Sequence, residues 1–144
     1  MNEFAEILDR LPHQYPFLMV DKVVEVNQHE ITAIKNVTAN EPHIQGHFPG
    51  NPIMPGVMIL ESLLQTGGLL AGYSTAIPIG NCTVVVVTVE SVKFRKLVVP
   101  GDQLILSVSV LSQTQKLWKF SGQAHVGDAL VTEASWTGMV INEG

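Results

Sequence analysis

The stretch VMILESLLQTGGLLAGY, residues 57–73, decides the fold. It is long enough for about five helical turns and is apolar nearly all round, and a helix without a wet face must be buried. Gly67 and Gly68 each cost roughly 1 kcal/mol of helix propensity relative to alanine, so they are expected to permit close approach of another backbone. The flanking sequence supplies what covers the helix. Residues 17–26 and 30–37 are rich in Val and Ile and are separated by the polar Asn27-Gln28-His29, which predicts a hairpin. After a loop over residues 74–81, TVVVVTV (83–89) reads as a continuous buried strand. DQLILSVSVL (102–111) alternates with Leu104, Leu106, Val108 and Val110 on one face, and KFSGQAHV (119–126) turns Phe120, Ala124 and Val126 inward. Val99-Pro100-Gly101-Asp102 predicts a turn, and residues 129–141 close the set.

One long buried helix beside five or six antiparallel strands defines an α+β class in which the sheet has to curl around the helix. The 144 residues fit one domain, 1–144, without internal repeat or linker. Residues 3–10 form a short docking helix with Phe4, Ile7 and Leu8 on one side, stopped by Pro12. Residues 38–56 carry Pro42, Gly46, Pro49, Gly50, Pro52, Pro55 and Gly56, which describes a long loop of defined shape. Loops of that length in compact domains are usually functional.

Composition narrows the classes. Hydrophobic residues make up 46% and charged residues 15%, more core-forming material than a monomer of this size needs, so some apolar surface is expected to meet another subunit. The net charge of -5 argues against a nucleic-acid binder. Of eight Lys and Arg, five (Lys93, Arg95, Lys96, Lys116 and Lys119) fall close together in sequence, either as a local patch for an anionic partner or as solvated strand edges. The single cysteine, Cys82, excludes an internal disulfide and is expected to be a small buried side chain. The acidic N-terminus is unlike a secretory signal and no apolar run approaches the ~20 residues of a membrane span, so a soluble cytoplasmic protein without membrane insertion is expected.

Glu61 is the most informative residue, because it sits inside the apolar helix, with Val57, Met58, Leu64 and Gln65 as its helical neighbours. A desolvated carboxyl group favours its neutral form, which suits a proton donor near neutral pH. It could equally be a structural carboxylate. Gln65, one turn later, either orients Glu61 or is a satisfied interface amide. His47 lies in GHFPGNPIMPG (46–56), a rigid loop leading into the helix, where a neutral imidazole suits a general base. The first N–H groups of the helix, following Pro55-Gly56, have no internal partners and favour developing negative charge. A thioester losing its α-proton develops an enolate oxygen, so base, oxyanion donor and acid fit one reaction. His43 and His47 stand four apart, but the glycine and prolines around them make a shared metal-binding helical face implausible. His13, His29 and His125 are expected at solvent-facing positions.

LPHQYPFLMVDKV (11–23), KNVTANEP (35–42), GHFPGNPIMPGVMILESLLQTGG (46–68), VKFRKLVVPGDQL (92–104) and LWKFSGQAHV (117–126) together resemble the FabZ-type (3R)-hydroxyacyl-[acyl carrier protein] dehydratases of bacterial fatty acid synthesis. The resemblance runs nearly end to end. It implies a hot-dog fold, a curved antiparallel sheet around a central helix, and a homodimer that assembles further into a hexamer as a trimer of dimers. It implies reversible dehydration of a (3R)-hydroxyacyl thioester to the trans-2-enoyl thioester by His47 and Glu61, contributed by opposite subunits and flanking an acyl tunnel. The Gly56 N–H would hold the thioester carbonyl, with Phe48, Val57 and Gln65 also lining the substrate site. No metal or organic cofactor is implied. The partner is acyl carrier protein, with Lys93, Arg95 and Lys96 as its contacts. The chain departs from the family pattern at His43 and Ile44, where aromatics are common, at Val85, where an aromatic often gates the tunnel, and at Glu90-Ser91. A hot-dog thioesterase using Glu61 to activate water and a noncatalytic acyl-binding protein are the competing readings.

Overall fold

The computed structural model describes residues 3–45, 50–74 and 82–142, with backbone only for Glu3, Gln45, Cys82, Thr83 and Asn142. Of the expected loop over 74–81, Ser74 ends the long helix and the rest, with the Cys82 side chain, lies outside the described residues. The order of elements is α1 (Glu3–Arg10), β1 (Lys22–Val26), β2 (Glu30–Asn36), α2 (Pro42–Gln45), α3 (Gly56–Ser74), β3 (Cys82–Phe94), β4 (Gln103–Gln113), β5 (Leu117–Val126) and β6 (Ala129–Asn142). The strands form one antiparallel sheet in the order β1-β2-β4-β5-β6-β3.

The apolar helix α3 packs against β2, β3, β4, β5 and β6. In a flat sheet the outer two of five strands stand about 19 Å apart. A helix is only about 10–12 Å across with its side chains, so touching all five requires the sheet to curve round it. Ile59, Leu63, Leu69, Leu70 and Ala71 of α3 are buried, as are the inward positions Ile31 and Ala33 of β2, Leu104, Leu106 and Val108 of β4, and Trp118, Phe120 and Ala124 of β5. Two buried hydroxyls on α3 are satisfied within the helix: Ser62 Oγ donates to Met58 O at 3.3 Å and Thr66 Oγ to Ser62 O at 2.7 Å.

The tightest packing lies under the middle of α3. A Cβ added at Gly67 would stand 2.9 Å from Trp136 Cζ2, and one at Gly122 on β5 would stand 2.9 Å from Trp136 Cη2. The two glycines therefore admit an indole between helix and sheet, rather than the second backbone expected at Gly67. Gly68 faces Leu11 at ordinary contact distance. Phe120 stacks on Trp136 with centroids 5.5 Å apart.

Other differences have local causes. Residues 17–21 are not strand: Phe17 O and Met19 N are taken by the Gln65 side chain, and Phe17 N and Leu18 N turn back onto Gln14 O. The shaped loop over 38–56 contains the short helix α2, opened by Pro42, whose fixed φ suits a first helical position. α1 docks through Ile7, with Leu11 just beyond it, while Phe4 and Leu8 face outward. The valine run of β3 is not continuously buried: Val85, Val87 and Val89 are exposed, because β3 ends the sheet. The expected hairpin is present, with Asn27 Oδ1 accepting from the N–H groups of His29 and Glu30. So is the turn at 99–102, where Gly101 has φ 99° and Asp102 Oδ2 accepts from Val99 N.

One buried charge was not foreseen. Lys35 on β2 is 4% exposed. Its ammonium bonds to the Glu41 carboxylate and to Asn36 O, with Asp21 Oδ2 at 3.9 Å. Glu41 also accepts from Thr38 N at 2.8 Å, fixing the entry to α2.

Two stability predictions follow from these contacts. Gly122→Ala should destabilise the fold by roughly 1–3 kcal/mol, because the new methyl meets the indole and Leu63. Lys35→Met should cost about 3–5 kcal/mol by stranding the Glu41 carboxylate. Urea unfolding followed by circular dichroism measures both, and wild-type midpoints would contradict the packing described.

Candidate active site

Glu61 lies in the second turn of α3, with its side chain 20% exposed in the single chain. It is half-buried rather than excluded from water, as the apolar helix had suggested. The sheet covers one face of α3, while the other carries Val57, 66% exposed, and the half-buried Met58, Leu60 and Leu64.

Gln65, fully buried one turn later, explains how the carboxylate is held. Its Nε2 donates to Phe17 O at 2.7 Å and to Glu61 Oε1 at 3.2 Å, while its Oε1 accepts from Met19 N at 2.7 Å. Both sequence readings of Gln65 therefore meet in one residue. It orients Glu61, and it is a satisfied amide, although its other partners belong to its own chain's 17–19 segment. Every polar atom of the amide is engaged, so the Glu61 oxygen it reaches is fixed in place.

A third side chain completes the cluster. His13 was expected to face solvent, yet its Nε2 lies 3.7 Å from Glu61 Oε1 and its side chain is only 28% exposed. Its ring stacks on Phe17 with centroids 5.8 Å apart, and its Nδ1 is buried with no hydrogen-bond partner among the described residues. Burial pushes the imidazole below its ordinary pKa, with the Glu61 carboxylate pulling the other way. The signal available in the sequence was its place between Pro12 and Pro16 in a segment that had to run beside the helix.

His47 and Phe48 lie outside the described residues. Gly56 begins α3, and Met58 N and Ile59 N donate to Pro55 O, so the N–H groups of Gly56 and Val57 stand at the helix's positive end. The Phe94 ring lies against Gly56, where an added Cβ would be 2.9 Å from Cδ1. Met54 N donates to Val98 O at 2.8 Å, joining the segment before α3 to the one after β3. Ile44 is buried, and His43 sits with Nε2 3.9 Å from Glu41 Oε1, its pKa lowered chiefly by burial.

The structure divides the basic residues into two groups. Lys93, Arg95 and Lys96 are exposed together at the end of β3, near Gly56 through Phe94. Lys93 pairs with Glu133 near the start of β6. Lys119, and Leu117 beside Lys116, pair with Thr137 and Met139 toward its other end. Arg95 Nε bonds Glu133 Oε2 at 3.1 Å and holds that carboxyl below the usual range. The candidate basic patch is therefore three residues, one of them already paired.

Residues 11–135 match the family model of the FabA-like domain. The chain belongs to that family. This FabA-like chain is 46% identical over 143 residues to the 3-hydroxyacyl-[acyl-carrier-protein] dehydratase FabZ of Caulobacter vibrioides, covering 99% of this chain and 90% of the relative. It is 50% identical over 141 residues to the FabZ dehydratase of Nitratidesulfovibrio vulgaris, covering 97% and 92%. Among solved structures it resembles the dehydratase heterocomplex ApeI:P of Xenorhabdus doucetiae, with a TM-score of 0.79 at 16% identity over 95% of this chain and 91% of that one. It also resembles a hypothetical thioesterase with coenzyme A from Streptococcus pneumoniae, with a TM-score of 0.66 at 15% identity over 84% and 85%. The fold of this FabA-like chain is the hot-dog fold, as the sheet wrapped on α3 and these neighbours agree.

Gln65→Leu should cost about 2–4 kcal/mol, because it strips Phe17 O and Met19 N of their shared partner. The loss is measured by thermal or urea unfolding. A variant as stable as the parent would mean that the clamp contributes nothing.

Proposed function

We propose that the chain dehydrates (3R)-hydroxyacyl-[acyl carrier protein] reversibly to the trans-2-enoyl thioester in fatty acid synthesis, working in the cytoplasm by acid–base catalysis. The reading rests on the similarity to FabZ dehydratases over nearly the whole chain and on one structural observation. Glu61, a carboxyl group on an apolar helix, is held through Oε1 by a fully engaged amide, with Oε2 unengaged among the described residues.

In this reading His47 removes the α-proton and Glu61 protonates the departing hydroxyl. The N–H of Gly56, at the positive end of α3, donates to the thioester oxygen as it gains enolate charge. Phe48 and Val57 line the substrate site, the exposure of Val57 in the single chain leaving it available for contact, while the buried Gln65 acts on the site through Glu61. The chemistry is proton transfer and needs no redox cofactor or metal.

A homodimer fits the sheet. β3 is a long end strand whose outward valines and free backbone edge are an aggregation hazard unless another chain covers them. In such a dimer His47 of one subunit would act with Glu61 of the other, and three such dimers would make the hexamer. Lys93, Arg95 and Lys96 would meet the acidic carrier protein beside the start of α3.

Incubation with 3-hydroxybutyryl or crotonyl carrier thioester tests the reaction. Interconversion without thiol release supports dehydration, and thiol release points to the thioesterase alternative. Glu61→Gln and His47→Ala should each lower the rate by roughly 10²- to 10⁴-fold with the fold intact. Mixing the two variants after subunit exchange should restore a measurable share of activity, since a mixed dimer carries one complete site; no recovery would place both groups in one subunit. Lys93→Glu with Lys96→Glu should raise KM several-fold at unchanged kcat, with the effect shrinking at high salt; a kcat effect insensitive to salt would count against the docking role.

A further inference from the structure

His13 and Glu61 come from segments 48 residues apart, yet they close a ring of contacts. The His13 ring stacks on Phe17, Phe17 O accepts from Gln65 Nε2, Gln65 Nε2 also reaches Glu61 Oε1, and His13 Nε2 faces that same oxygen. A carboxylic acid has one oxygen that only accepts and one that carries the proton. The Gln65 donor at Oε1 makes that oxygen the acceptor. A neutral imidazole carries one N–H. With the proton on Nε2, a donor faces Oε1, whereas the other tautomer would set a lone pair against it.

We propose that His13 is a positioning residue for the acid: with Gln65 it fixes Oε1 as the accepting oxygen of Glu61, so that the transferable proton sits on Oε2, and it faces the negative charge left when that proton departs. This rests on the reading of Glu61 as the proton donor. The separation of 3.7 Å is beyond hydrogen-bond range, so in the resting acid the contact is electrostatic. It strengthens as charge develops on the carboxylate. No Lys or Arg side chain comes within ion-pair distance of Glu61 among the described residues. Glu61 is the one charged group acting on His13 there, since Arg10, from α1, lies over the Tyr73 ring at 3.9 Å.

The experiment compares His13→Phe, which keeps the stack on Phe17 but removes both ring nitrogens, with His13→Gln, which keeps a side-chain N–H. Dehydration kcat and KM are measured across pH, with unfolding midpoints alongside. His13→Phe should lower kcat about tenfold with KM little changed. The pH dependence of kcat should change with it, because the imidazole facing the acid is gone. His13→Gln should recover most of the kcat. Wild-type kcat and profile in His13→Phe, or equal impairment in His13→Gln, would overturn the proposal. If His13→Phe does not fold, the ring Cε1–H titration of His13 in the parent and in Glu61→Gln decides: the midpoint should fall when the carboxylate is removed, and an unchanged midpoint overturns the proposal. Activity retained in Glu61→Gln would instead sink the reading of Glu61 as the acid, a separate outcome.

Discussion

A carboxylate and an amide on an otherwise apolar helix set the constraint that organises this molecule. Burying α3 is favourable for its leucines and Ile59 and costly for Glu61 and Gln65, unless their polar atoms find partners. Gln65 finds them in the irregular segment before β1, whose backbone would otherwise lack partners of its own. The same bonds thus satisfy the helix, hold residues 17–19 against it and give Glu61 a fixed neighbour. Local structure, core packing and candidate chemistry meet in one side chain.

The hydrophobic core follows from the same helix. Its burial requires a wide sheet, the width requires curvature, and the curvature leaves room for an indole under the helix only where two residues lack a Cβ. Trp136 occupies that room, so Gly67 and Gly122 are matched to a single side chain on β6. The lysine and carboxylates at the far end of β2 do a comparable job with charge, tying β2 to the start of α2.

The strand and helix pattern was legible because period and punctuation carry it. Leu104, Leu106 and Val108 alternate as a strand must, Asn27 caps the hairpin, and α3 spans nearly the residues that its composition marks. The site was legible in part, since Glu61 stands out by polarity alone and Gln65 by its helical spacing. What escaped depends on tertiary contact. His13 gains its meaning only when the 11–21 segment is laid beside α3, and Lys35 only when β2 meets Glu41. The valines of β3 misled for the opposite reason: an apolar run looks the same at the edge of a sheet as in its centre, and only strand order separates the two cases.

The apolar edge of β3 has a consequence for how the protein persists. In the proposed homodimer that strand is completed by encounter, so resistance to unfolding would rise with the protein's own abundance through mass action. Scarcity would leave Val85, Val87 and Val89 against water and the chain open to irregular pairing with any other extended strand. Expression level, and not only sequence, would then govern how long each copy survives.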